Sequence, residues 1–183
     1  MVNVVQKFMD VESVQRASAM AISSLARLKE NREKLGESRA CEFVHQSLQK
    51  HMQNEDVVGK LAVSIEYLSR DSSNNISKFT DLNSAKLLLS VFQRHEKNAS
   101  VVADTLRALI LLSSVKTNQS RAQSEEAFKM YIRAIKMHEK SPSVGQWGCN
   151  MIYVAATEGD MRTKAMLGNV KACETVIRFE HLT

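Results

Sequence analysis

Residues 54–69, NEDVVGKLAVSIEYLS, can be laid on residues 98–113, NASVVADTLRALILLS, and on residues 140–156, KSPSVGQWGCNMIYVAA. Aligned on Val57, Val101 and Val144, the copies recur after 44 and then 43 residues. A weaker copy, ESVQRASAMAISSLARL, places Val14 another 43 residues before Val57. A period of this length with helical patterning inside each copy is the mark of an α-solenoid, whose units bury their apolar faces only against their neighbours. The expected fold is all-α.

Within each copy two sectors of a helix separate. Counted from the aligned valine, the positions five, eight and eleven later hold Ala19, Ile22 and Leu25; Ala62, Ile65 and Leu68; Leu106, Leu109 and Leu112; Cys149, Ile152 and Ala155. At about 100° per residue these share one apolar face, which reads as core. The positions three, six and ten later hold Ala17, Met20 and Ser24; Lys60, Val63 and Tyr67; Asp104, Arg107 and Leu111; Trp147, Asn150 and Val154. They fall on a second, variable face, where recognition can be written on a fixed scaffold. The candidate partner-binding residues are therefore Trp147, Asn150, Tyr67, Arg107, Lys60 and Asp104. Trp, Tyr and Arg are the residue types enriched in binding hot spots, and an Asn can both donate to and accept from a peptide backbone.

A single unit is legible from Asn31 to Arg70. A short helix (NREKL) leads through Gly36, Glu37 and Ser38 into ACEFVHQSLQKHM, and Gln53 to Asp56 turn the chain into VVGKLAVSIEYL. In the second of these helices Val44 and Leu48 recur as Leu88 and Phe92, then as Tyr131 and Ile135, the i, i+4 spacing of one face. His51, His95 and His138 recur near its end. Metal ligands must converge, whereas equivalent positions in a repeat array stand a whole unit apart, so these read as cap or turn residues beside the negative end of a helix dipole. The array spans residues 1–183, with a partial unit at 1–26, units at about 27–70, 71–113 and 114–157, and a partial unit at 158–183. The stretch Thr117 to Glu126 offers little apolar surface where a first helix belongs, and a frayed helix or loop is expected there.

Composition narrows the function classes. Six Gly and one Pro leave little material for strand turns. No apolar run reaches the length of a signal peptide or membrane span, and Val2 excludes myristoylation. The sequons at Asn75, Asn98 and Asn118 read as chance matches on polar loops, and Cys41, Cys149 and Cys173 as reduced core residues of a cytoplasmic or nuclear protein. The net charge of +5 comes from basic residues interleaved with acidic ones, which favours a solvated surface over a nucleic-acid footprint. There is no Gly-rich phosphate loop, no H-E-x-x-H, no C-x-x-C and no G-x-S-x-G, and Cys149, the one thiol to pair with His138, sits in a core column. No catalytic residue, cofactor, metal or small-molecule substrate is expected.

The short first helix, the small-residue steps Arg39-Ala40-Cys41-Glu42 and Lys171-Ala172-Cys173-Glu174, and the pattern Val-x-x-x-x-Ala/Cys-x-x-Ile/Leu resemble the armadillo repeat. Residues 144–177 are the closest match. The resemblance implies a right-handed α-solenoid of three-helix units; HEAT-like units, with two helices, are the alternative. It further implies an intracellular scaffold that binds a protein or an extended peptide along a groove lined by third helices. In the importin-alpha branch a Trp and an Asn four residues later repeat along that groove; here those places hold Met20 and Ser24, Val63 and Tyr67, Arg107 and Leu111, Asn150 and Val154, so basic nuclear-localisation peptides are not carried over. Nor do Lys60 and Arg107 make the strongly basic groove of the beta-catenin branch. An electrostatically held nucleic acid or acidic membrane is the alternative partner, and a steep loss of binding with salt would distinguish it.

Val170, Val176, Ile177 and Phe179 belong to a unit without its third helix, and Met1 to Met9 read as the tail of a second helix, with Val5 and Phe8 in the places of Leu48 and His51. An apolar end of this kind predicts either self-association or cover by the next repeat of a longer array. Sedimentation velocity should show concentration-dependent oligomers that Ile177→Glu with Phe179→Glu reduces; a chain monomeric at high concentration would refute this.

Overall fold

The computed structural model describes the backbone from Gln6 to Glu180 and the side chains through Ile177. Among these residues are one 3-10 turn, Gln6–Phe8, twelve α-helices and no strand. Helix α1 spans Glu12–Leu25. Three triplets follow: α2 Lys29–Glu37, α3 Ala40–Lys50 and α4 Glu55–Ser69; α5 Ser73–Asp81, α6 Ser84–Arg94 and α7 Ala99–Leu112; α8 Lys116–Ala122, α9 Glu125–Met137 and α10 Pro142–Glu158. A last pair, α11 Met161–Asn169 and α12 Ala172–Glu180, begins a further set. Among the described residues no helix is long and apolar enough to cross a membrane.

The aligned valines mark the first turns of the third helices. Asn54, Asn98 and Ser141 cap α4, α7 and α10, their side chains accepting the N–H of Val57, Val101 and Val144. Such caps satisfy donors that a helix start leaves orphaned, each contributing about 1 kcal/mol. Helices α1, α4, α7 and α10 then pack in one row, each against the next in chain order, an arrangement consistent with an α-solenoid. Ile22, Ala62, Ile65, Leu68, Leu106, Leu109, Leu112, Val144 and Ala155 are buried between them. Leu25 departs from its column: it is the last residue of α1 and is exposed, and the turn carries Ala26 inward instead. Cys149 is only half-buried.

Consecutive units are tied through the ends of their helices. His51, His95 and His138 stand at the C-caps of α3, α6 and α9, and each ring donates Nε2–H to a backbone carbonyl one unit earlier, that of Met9, Met52 or Glu96, at 2.7 Å every time. The first helices hold a second set at a spacing of 43 residues, Arg32, Asn75 and Asn118. Arg32 Nε donates to Ala26 O at 2.7 Å, Asn75 Nδ2 to Leu68 O at 2.9 Å, and Asn118 Nδ2 to Leu112 O at 3.1 Å. These acceptors are carbonyls at the C-terminal ends of the preceding third helices, which have no partner within their own helix. Asn75 Nδ2 also reaches Arg32 O at 3.1 Å, linking one first helix to the next.

Several sequence-based expectations need correction. Asn75 and Asn118 are fully buried helical residues rather than loop residues, whereas Asn98 does lie in the polar turn after α6, where it caps α7. Gly36 and Glu37 belong to α2 rather than to a linker: α5 runs so close that a Cβ on Gly36 would lie 1.9 Å from Asn75 Oδ1. The turn into α3 is made by Ser38 and by Arg39 at φ 64°, and Asn83 and Lys171 repeat that left-handed step. Thr117 to Glu126 holds a helix, α8, of seven residues, anchored by the buried Asn118 and Ala122. Cys173 is exposed although its equivalent Cys41 is buried: α5 and α6 cover α3, and no described helix stands in that relation to α12. Ile177 is exposed, Val170 and Val176 are half-buried, Phe8 is exposed, and the expectations placed on Met1 to Val5 and on the Phe179 side chain lie outside the described residues.

Ile65→Ala and Leu109→Ala should each destabilise the chain by roughly 2–5 kcal/mol, as cavities in packed cores do. Asn75→Ala, which orphans the Leu68 carbonyl, should remove about 1–3 kcal/mol, while Lys60→Ala stays within about 0.5 kcal/mol. Urea titration reads all four, and a neutral Asn75→Ala would mean that the inter-unit bond contributes nothing.

Candidate functional site

The six residues picked from the variable sector lie on α4, α7 and α10, all half-buried. Three of them line up across successive helices with their charged neighbours. On α4, the Tyr67 ring is flanked by the guanidinium groups of Arg70, 4.4 Å from its centroid, and of Arg27, at 5.5 Å. On α7, Arg107 lies 5.3 Å from the centroid of Trp147 on α10. Between the two rings stands Glu66, 3% exposed at its side chain, paired with Arg70 along its own helix and with Arg107 Nη2 across to α7 at 2.6 Å. The result is a continuous alternation, Tyr67, Arg70, Glu66, Arg107, Trp147, of π faces and charges. Each cation–π contact contributes about 0.5–1 kcal/mol where exposed, more where desolvated.

Asp104 lies beside this chain, 3.6 Å from Arg107 Nη1. Burial pushes its carboxyl up to about 6; Arg107 and then Lys60 pull it back down, and Glu66 adds a smaller upward push. Desolvation thus outweighs two neighbouring cations. Asp104, Arg107 and Trp147 line one side of a cleft of about 270 Å³ between the starts of α7 and α10, closed by Ser100, Ser141 and Ser143. Asn150 is half-buried one turn along α10.

Glu66, Arg70 and Arg27 were not among the sequence candidates. Glu66 stands nine residues after the aligned valine, in a column otherwise holding Ser23, Ile110 and Tyr153, so a lone carboxylate in an uncharged column was the available signal. The other features singled out in the sequence have structural uses. The His138 ring is committed to the Glu96 carbonyl, and burial pushes the Cys41 thiol up to about 12, far from a reactive thiolate. No three His, Cys, Asp or Glu side chains converge as a metal site among the described residues.

Comparison with models of protein families, with curated proteins and with solved structures finds no match to this chain.

Asp104 titrates near 3.8 when solvated and near 6 in the folded chain, so the folded state binds more protons between those values. Stability therefore falls as pH rises from about 4 to about 6 and stays lowered above. Asp104→Asn should be more stable than the parent by on the order of 1–3 kcal/mol at pH 7 and indistinguishable at pH 4. Thermal melts across pH check this; a variant less stable at pH 7 would show that the Arg107 pair outweighs burial.

Proposed function

We propose that the chain is an armadillo-like α-solenoid and acts as a non-catalytic scaffold that holds an extended peptide along the row α1, α4, α7 and α10. The observation that carries this reading is the alignment of Tyr67, Arg107 and Trp147 on three successive helices, each half-exposed and each held in place by a neighbouring charge. Aromatic and Arg side chains whose rotamers are already fixed lose little entropy on binding, the condition under which they become hot spots. A ligand running across helix axes meets the two rings and the cations between them in turn. The cations Arg27, Lys60, Arg70 and Arg107 outnumber the anions Glu66 and Asp104, so the favoured peptide carries apolar or aromatic anchors next to an acidic residue.

Peptide display against the wild-type chain, followed by affinity measurement with Trp147→Ala and Arg107→Ala, tests the reading. Selected sequences should be enriched in aromatic and acidic residues and lose at least about tenfold in affinity to either variant, the loss of more than about 1.4 kcal/mol expected at a hot spot. Ligands indifferent to both substitutions would place binding elsewhere. A salt dependence steep enough to abolish binding would favour the charge-driven alternative instead.

A further inference from the structure

The third triplet differs from the others in a way that opens a second cleft, away from the row of third helices. Helix α8 has seven residues where α2, α5 and α11 have nine each, and its junction to α9 lacks the left-handed residue found at Arg39, Asn83 and Lys171. Ser124, at φ −74°, stands in that place, and Gln123 just before it ends α8. The shortening leaves a cleft of about 660 Å³ between α8, the start of α9 and the α10–α11 turn. This lies within the range of about 300–1,000 Å³ typical of ligand sites.

Two independent features of this cleft point to a ligand. Gln123 lines it and is 3% exposed, yet neither its Oε1 nor its Nε2 has a hydrogen-bond partner among the described residues. Buried amides are rarely left in this condition, because each unsatisfied group destabilises by about as much as a hydrogen bond contributes. Its backbone N–H is already used, donating to Gln119 O at 2.8 Å, which leaves the side-chain carboxamide as the unpaired group. The rim carries Glu125, Glu126, Glu158 and Asp160 against Lys116 and Arg162, a net negative charge. Glu125 is paired with Lys129 at 2.7 Å, and Asp160 accepts the Thr163 N–H at 2.8 Å; Glu126 and Glu158 are exposed and have no ion-pair partner among the described residues.

We infer that this cleft binds an extended, lysine- or arginine-bearing segment of a partner protein, with the Gln123 carboxamide pairing a peptide group and Glu126 and Glu158 receiving the cations. A carboxamide presents a donor and an acceptor side by side, the complement of a peptide N–H and C=O in an extended strand. The negative rim repels phosphate-bearing ligands and attracts basic ones. The site is separate from the face lined by Tyr67, Arg107 and Trp147 and does not depend on what that face binds.

The test uses a library of acetylated, amidated hexapeptides with lysine or arginine at alternate positions, a glutamate counterpart, and a version methylated at the backbone nitrogens. Fluorescence anisotropy gives affinities, and the Gln123 side-chain amide is followed by ¹⁵N NMR. Basic peptides should bind and shift the Gln123 amide, while the glutamate and N-methylated versions do not. Gln123→Met, which keeps the length and removes both polar atoms, should melt no lower than wild type and bind at least about tenfold more weakly. Glu126→Gln with Glu158→Gln, both on the surface, should weaken binding and flatten its salt dependence, and Trp147→Ala should leave it unchanged. The inference is overturned if no basic peptide binds, if the glutamate peptide binds equally, if Gln123→Met binds as wild type does, or if the cleft proves to be filled by a second copy of the chain in a dimer that Gln123→Met abolishes.

Discussion

Every helix ends in carbonyl oxygens that it cannot satisfy itself, and in this chain side chains of the neighbouring unit satisfy those of the third helices and the turns that follow the second ones. His51, His95 and His138 donate backward from one second helix to the chain just beyond the end of the previous one, while Asn75 and Asn118 donate to the ends of the third helices before them. Apolar burial supplies most of the stabilisation, but it is indifferent to small slips of one helix along another. The directional bonds remove that freedom. They tie each first helix to the end of the third helix before it and each second helix to the turn before, the frame on which Tyr67, Arg107 and Trp147 fall into line.

The same positional accuracy makes the charged face workable. Glu66 is almost fully buried, and a carboxylate so placed is tolerable only where cations meet it in good geometry. Arg70 comes from its own helix and is set by helical spacing, but Arg107 comes from the next unit and is brought within reach only by the packing of α4 on α7. Asp104 shows the other side of this balance: two cations nearby do not offset its burial, and its carboxyl titrates near 6. The face thus carries one buried acid met by two cations and a second whose burial outweighs the cations beside it.

Features set by local spacing were legible in the sequence. The aligned valines and the apolar columns follow from periods of a few residues, and they gave the third helices and the sector holding Trp147, Asn150, Tyr67, Arg107, Lys60 and Asp104. What escaped depends on distances between units. The role of the histidines as bonds between units, the burial of Asn75 and Asn118, and the bridge through Glu66 all require knowing which carbonyl or guanidinium stands opposite, and no single helix encodes that. Cys173 was misplaced for the same reason, since its burial in other units is conferred by helices of the following one. The Gln123 cleft arises from a helix two residues shorter than its counterparts, a difference visible only once the ends of α8 are located.

The junction after each histidine has one length throughout. Asn54, Asn98 and Ser141 each follow their histidine by three residues, and each returns its backbone N–H to that histidine's carbonyl, at 2.9, 2.9 and 2.8 Å. One short turn thus ends a second helix, ties it to the unit before and starts the third helix at a set angle. The passage from first to second helix is two residues in every unit as well, and what varies is only where it falls: the seven-residue α8 is followed by a thirteen-residue α9, where the nine-residue α2 and α5 are followed by eleven-residue α3 and α6. The handover point between first and second helix can therefore shift within a pair of constant total length and open a cleft beside α8, while the histidine turns keep the register from one unit to the next.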